Sequence, residues 1–272
     1  MTAVRSIAIT GASSGIGGAL ALHYAERDKS AVRLILLGRD GARLEAVADA
    51  CRARGAETKT VQLDIRDRAA MHAGLRALDR EAPIDLLVAN AGIATGLSTG
   101  MLAEDPDVVR GIVAINFLGA LNTVEPLIEP MCARGRGRIA LTGSIAGLRG
   151  LPYSPAYCAT KAAVHLYADS LRGNLRKKGV GVSLIVPGFV NTPLNSDLVA
   201  FKPLAMSDTK AAAILARGLD RGKPVIAFPK SLYWAARLST FLPARLADAI
   251  LARFDVEMRV THERALPETR PS

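Results

Sequence analysis

Two rhythms of apolar residues alternate along the chain. In the first, short runs are apolar nearly throughout and rich in β-branched residues: 4–10 (VRSIAIT), 31–38 (AVRLILLG), 59–65 (KTVQLDI), 84–92 (IDLLVANAG), 137–144 (GRIALTGS), 181–188 (GVSLIVPG) and 223–229 (KPVIAFP). Their length and composition predict strands. In the second, apolar positions recur at helical spacing, as at Ile16, Leu20 and Tyr24 within 15–28. The same spacing predicts helices over 41–55, where Gly55 offers a left-handed ending, and over 67–81, 105–131 and 155–178. Strands that are apolar on both faces and alternate with helices predict an α/β fold: a doubly wound seven-stranded parallel sheet with helices on both faces. Ligands of such sheets bind outside the carboxyl ends of the strands. No linker or internal repeat divides residues 1–228, which read as one domain.

After residue 228 the pattern changes. Residues 230–254 keep helical spacing, but Pro243 interrupts it, so two helices are predicted in a C-terminal extension, 229–272, packed on the same domain. Leu232, Ala235, Leu238 and Leu242 form one stripe, and Leu246, Ile250 and Phe254 continue it beyond the proline. A cover over a substrate pocket is the plainest use of that stripe. A subunit contact comes next, and a membrane-surface helix flanked by arginines third. The tail THERALPETRPS (261–272) is polar and expected to fray.

Composition narrows the classes. Half of the 272 residues are hydrophobic, enough for one large core. No purely apolar run approaches the ~18 residues that span a bilayer, and the chain reaches TGASSG too early for a signal peptide's apolar core, so a cytoplasmic protein is expected. The net charge of +10 comes from cations interspersed with acids, as in RDGARLEAVADACRARG, with no basic stripe interleaved with aromatics. That excludes nucleic acid as the expected partner. Cys51, Cys132 and Cys158 are odd in number and scattered, and His23, His72, His165 and His262 lack ligand spacing. No disulfide framework and no metal site are expected, and all seven read as surface or packed residues.

Four features carry chemistry. TGASSGIG (10–17) places Gly11, Gly15 and Gly17 between the first strand and the first helix, where glycine permits a tight turn and close approach of backbone to a pyrophosphate. The helix start beyond it offers free N–H groups, and no Walker lysine follows. Tyr157 and Lys161 in YCATK lie four apart, on one helix face, where an ammonium favours a phenolate. Ser144, at the end of the fifth strand, can hold a carbonyl oxygen. Asn116 sits inside a predicted helix that it does not favour, which suggests a kink or a water site.

Together, TGASSGIG (10–17), LDIRD (63–67), NAG (90–92), Asn116, Ser144, YCATK (157–161) and PGFVNTP (187–193) resemble the short-chain dehydrogenase/reductase family over residues 4–228. The resemblance implies a Rossmann-like fold and an oxidoreductase that moves a hydride between a nicotinamide and a carbonyl or secondary alcohol. It assigns Tyr157 as general acid or base, Lys161 to the nicotinamide ribose and to lowering the Tyr157 pKa, Ser144 to the substrate oxygen and Asn116 to a proton-relay water. It places cofactor contacts at Gly11, Ser13, Ser14, Gly15, Ile16 and Gly17, at Asp64 and Ile65 beside the adenine, and at Asn90, Ala91 and Gly92. Ile185, Pro187, Gly188, Val190 and Thr192 border the nicotinamide. Thr160 stands where the family motif usually has serine. Cys158 points away from this face and receives no role. The resemblance also implies a homodimer or homotetramer through helices 105–131 and 155–178. A non-catalytic nucleotide-binding scaffold is the alternative, opposed by the complete Asn116–Ser144–Tyr157–Lys161 set.

The cofactor follows from ILLGRD (35–40). The acid that takes ribose hydroxyls belongs at the tip of the second strand, where this chain has Gly38. Asp40 reads as the N-cap of the next helix. Arg39 is left to meet a 2′-phosphate, with Ser13 assisting, so NADP(H) is expected over NAD(H). Segments 93–104, 145–155 and 189–209 are largely apolar and favour an apolar carbonyl or alcohol substrate.

Overall fold

The computed structural model describes residues 5–97, 100–192, 198–200, 204–251 and 256–258. Seven strands form one sheet: β1 Arg5–Thr10, β2 Val32–Gly38, β3 Glu57–Gln62, β4 Leu86–Ala89, β5 Gly137–Thr142, β6 Val180–Pro187 and β7 Val225–Phe228. Their spatial order is β7-β6-β5-β4-β1-β2-β3, and every pairing in it is parallel. The chain therefore winds outward in both directions from the β1–β4 pair, which is where such a sheet opens a crevice at its carboxyl edge.

Helices α1 (Gly15–Asp28), α2 (Gly41–Arg52), α3 (Arg68–Glu81), α4 (Pro106–Val113), α5 (Gly119–Ala133), α6 (Pro155–Leu175) and α7 (Asp208–Asp220) cover the sheet. Two cores result. Leu20, Tyr24, Leu44, Leu215 and Leu219 from α1, α2 and α7 close one face. Met71, Leu75, Ile112, Val124, Leu127 and Val164 from α3 to α6 close the other. The central strands β1, β2 and β4 are buried on both sides, which explains why their sequences do not alternate.

Several expectations shift by a residue or more. β3 starts two residues earlier than expected and ends at Gln62, because its pairing with β2 runs from Arg33–Glu57 to Gly38–Gln62. Gly55 is left-handed (φ 91°), but α2 ends at Arg52, so Gly55 lies one position beyond the usual closing glycine. The run Pro106–Ala133 is long and apolar enough to cross a membrane, with mean hydropathy 1.5 in its most apolar window. Half of that window is buried against the rest of the fold, so the run serves here as core.

The C-terminal segment forms two helices, α8 (Lys230–Ser239) and α9 (Ala244–Leu251), divided at Pro243 as expected. Its stripe does not pack as a unit. Leu232 approaches Gly188 and Tyr233 joins the core, whereas Leu238, Leu246 and Ile250 are exposed together with Trp234 and Phe241. The break over 240–243 turns the second half of the stripe away from the body. Phe254 and the tail 261–272 lie outside the described residues, as does Pro193 of the PGFVNTP motif.

Candidate active site

The glycine turn follows β1. Gly11 is left-handed (φ 67°), and a Cβ on it would stand 2.8 Å from the Ala91 Cα. Gly17 is held closer still: a Cβ there would stand 2.6 Å from the Asn90 amide nitrogen. Asn90 explains the tightness. Its side-chain amide donates to the Thr10 carbonyl at 3.1 Å, while the Asn90 and Ala91 N–H groups donate to the Thr10 hydroxyl at 3.1 and 3.2 Å. The NAG segment thus binds the start of the turn to β4. Helices α2, α3, α4 and α7 each have a side chain accepting from their first-turn amides, but Ser14 at the start of α1 makes no such bond. The α1 amides remain open to an anion.

At the tip of β2, Asp40 caps α2 by accepting from the Arg43 N–H at 3.0 Å and pairs with the Arg43 guanidinium at 2.5 Å, as its N-cap assignment requires. Arg39 is exposed, and its guanidinium has no hydrogen bond or ion pair among the described residues; its carbonyl accepts from Gln62. Asp64 is taken by Arg66 at 2.5 Å, which lowers its pKa against the effect of burial. Ile65 is buried.

Asn116 lies in a π-helical turn, Ala114–Leu118, that separates α4 from α5. This is the kink its sequence position suggested. Its side chain clamps Ile93 twice, accepting from the N–H at 2.8 Å and donating to the carbonyl at 2.9 Å, and also donates to the Thr160 hydroxyl at 3.3 Å. Thr160 in turn donates to the Tyr157 carbonyl at 2.8 Å. The threonine that departs from the usual motif therefore links Asn116 to the first turn of α6.

Ser144, just beyond β5, accepts the Ala146 N–H at 3.1 Å through its hydroxyl oxygen, which leaves the hydroxyl proton free to be donated. It also faces Tyr157, whose pKa it lowers. Lys161 is 5% exposed, donates to the Thr142 carbonyl at 3.0 Å, and sits 5.8 Å from the Tyr157 ring centre. Burial brings its pKa down to about 8. Burial pushes the Tyr157 pKa up, and the Ser144 side chain opposes that. The ammonium is turned to the Thr142 carbonyl rather than to the phenol oxygen.

The nicotinamide-side segment divides. Thr192 reaches Gly15, whose Cβ would meet its methyl at 3.3 Å, so the 187–192 loop closes on the glycine turn. Gly188 donates to the Phe228 carbonyl at 2.7 Å. Ile185 is fully enclosed and Val190 is 2% exposed, so they brace this wall from behind and do not present a surface. Cys158 is buried and accepts from the Leu151 N–H.

One residue was missed. His165 is buried, and its Nε2 accepts from the Ser144 N–H at 3.3 Å. Burial, with Lys161 adding to it, brings its pKa down to about 4 and keeps the ring neutral. A Cβ on Gly143 would overlap this ring. The signal was present: Tyr157, Lys161 and His165 are spaced at four and four on one helix face.

Comparison with known proteins identifies the family. Residues 5–203 match the family model described as short chain dehydrogenase. An uncharacterized oxidoreductase of Myxococcus xanthus is 38% identical over 250 residues, covering 92% of this chain and 97% of the relative. Human 17-beta-hydroxysteroid dehydrogenase type 1 is 36% identical over 189 residues, covering 68% of this chain but 57% of the longer human protein. Among solved structures, a short-chain dehydrogenase from Sphingobium yanoikuyae in complex with NADPH superposes with a TM-score of 0.73 at 26% identity, covering 92% of this chain and 93% of the other. A short chain dehydrogenase/reductase from Burkholderia phymatum in complex with NAD gives 0.77 at 25%, covering 88% and 94%.

Proposed function

Because the chain belongs to the short chain dehydrogenase family, we propose that it is an NADP(H)-dependent oxidoreductase that interconverts an apolar carbonyl and the corresponding secondary alcohol. The observation that supports this most is the meeting of Ser144, Tyr157, Lys161 and Asn116 beyond the carboxyl ends of β4 and β5. When bound, the nicotinamide supplies or accepts the hydride.

The residues present fit that group. The turn at Gly11, Gly15 and Gly17 carries no side chains and packs tightly on Ala91, Thr192 and Asn90, which leaves its backbone bare for a dinucleotide. The α1 amides of Ser14, Gly15 and Ile16 are uncapped and suit a pyrophosphate. Asp64 and Ile65 would border the adenine, Asn90 to Gly92 the adenosine, and Pro187, Gly188 and Thr192 the nicotinamide. Val190 supports that wall. Gly38 has no carboxylate, and Arg39 with Ser13 would take a 2′-phosphate.

For reduction, Tyr157 keeps its proton at Oη, as its raised pKa requires of a donor at neutral pH, and gives it to the carbonyl oxygen. Ser144 donates a hydrogen bond to the same oxygen. Lys161 would hold the ribose hydroxyls, and Asn116, by fixing the Ile93 backbone, would position the water that returns the proton. Oxidation reverses these roles. Loop residues Ile93, Leu97, Leu148 and Leu151 supply the apolar surroundings, tied together by the bond from the Leu97 N–H to the Tyr153 carbonyl. Exposed Leu118 and Leu166 support pairing of two copies through α5 and α6 as a homodimer or homotetramer.

The test is cofactor oxidation at 340 nm against ketones and aldehydes with NADPH and NADH in parallel. Turnover with apolar ketones is expected, lost by orders of magnitude in Tyr157→Phe with cofactor affinity retained. Wild-type rates in that variant would overturn the mechanism, and binding of NADPH without turnover on any substrate would favour a scaffold.

A further inference from the structure

At the opposite end of the strands from Ser144 lies a cavity of about 390 Å³, lined by Arg138, Arg172 and Arg176 around the starts of β5 and β6. Arg138 is half-buried and has no carboxylate within ion-pair distance among the described residues. Its guanidinium donates to the Ser183 hydroxyl at 3.2 Å, and the Ser183 hydroxyl donates in turn to the Lys223 carbonyl. The nearby acid, Asp220, is already shared between Arg5 and Arg27, each at 2.5 Å. Burial, and the like charge of Arg5, lower the Arg138 pKa accordingly. Arg176 has no ion pair either among the described residues, and Arg172 meets only Asp169.

Room is reserved for this cation. A Cβ at Gly181 would stand 2.9 Å from the guanidinium carbon, and one at Gly222 would stand 2.6 Å from Nη2. Gly222 is left-handed (φ 64°) and has a backbone reason to be glycine. Gly181 is a strand residue in β6 without positive φ, so its missing side chain is explained by the guanidinium lying over it. A half-buried, uncompensated arginine is costly unless an anion completes it.

We propose that this cavity is a second binding site, for an oxyanion of the phosphate class, gripped by the Arg138 fork with Arg172 and Arg176 closing on it. A planar guanidinium engages two phosphate oxygens at once, and the volume admits a pyrophosphate or a phosphoryl group on a small metabolite. The site lies away from the hydride-transfer residues, and binding there stabilises the fold by mass action.

The experiment is thermal unfolding of the full chain, saturated with NADPH so that the glycine turn is filled, titrated with inorganic phosphate, pyrophosphate or sodium chloride at matched ionic strength. The expected result is a saturable rise in Tm with either phosphate that chloride does not reproduce. Arg176→Gln, at the surface, should weaken the midpoint several-fold, and Arg138→Gln or Gly181→Ala should abolish the rise. Arg39→Ala should leave it unchanged. A rise matched by chloride, one retained in both Arg176→Gln and Gly181→Ala, or one lost in Arg39→Ala would overturn the proposal. Response to pyrophosphate alone would assign the site to a larger phosphorylated ligand, and equal midpoints would assign it to the free anion.

Discussion

Replacing Lys161 by methionine should make the cofactor-free protein more stable while destroying its function. Lys161 is 5% exposed, and burial moves its pKa from the usual 10.5 to about 8. Each unit corresponds to about 1.4 kcal/mol, so holding the charged form inside costs roughly 3 kcal/mol at neutral pH. Methionine keeps most of the volume but loses the bond from the Nζ ammonium to the Thr142 carbonyl, worth about 1.5–3 kcal/mol for a charged donor. The expected net gain is about 1 kcal/mol. Its sign depends on pH. The folded pKa lies below the unfolded one, so between pH 8 and 10.5 the unfolded chain binds the extra proton and wild-type stability rises with pH. The advantage of Lys161→Met should therefore be full below pH 8, shrink through that window, and be gone or reversed by pH 10.5. Urea unfolding of both proteins at neutral pH and near pH 10, with equal m-values, measures it. A gain that does not change with pH, or a loss at neutral pH, would refute the assignment of the cost to a buried ammonium.

Three further outcomes are expected. Arg39→Ala should raise the KM for NADPH roughly 10-fold to 100-fold, as loss of about 1.5–3 kcal/mol from a charged hydrogen bond implies, and spare NADH; equal loss for both cofactors would remove Arg39 from the 2′-phosphate. His165→Leu should leave the Ser144 N–H without its acceptor, costing about 1–3 kcal/mol of stability and lowering kcat more than NADPH affinity; stability loss with unchanged kcat would restrict His165 to packing. Asn116→Ala orphans both backbone groups of Ile93, so it should destabilise the fold by about 2 kcal/mol or more and slow turnover, and Asn116→Asp, which restores only the acceptor, should recover only part of either.

The architecture was readable because it rests on period and apolarity. The nearly continuous apolar run of β2 and the 3.6-residue spacing of α1 state their environments directly. Asp40 was readable because an N-cap depends on local chemistry alone, and Pro243 because a missing N–H stops a helix wherever it occurs. What stayed hidden depends on distance between elements. His165 meets Ser144 across twenty-one residues of sequence, and a histidine on a helix looks the same whether it faces a serine amide or a leucine. The bond from Lys161 to the Thr142 carbonyl depends on where its nitrogen points, which the spacing of four does not specify. The exposure of Leu246 and Ile250 depended on the angle of the chain at 240–243.

The π turn at Ala114–Leu118 has a consequence for any attempt to redesign the protein. A π turn inserts one residue beyond what an α-helix needs, and each residue advances a helix by about 100°. Helices α4 and α5 are thus out of phase with each other, and a single apolar stripe drawn through both is misaligned by about that angle. Deleting one residue between 114 and 118 would restore an uninterrupted helix and improve its local regularity. The same deletion would rotate Asn116 off Ile93 or carry the faces of α5 away from the sheet. The irregularity is a counting offset that the Asn116 side chain ties to Ile93 and Thr160.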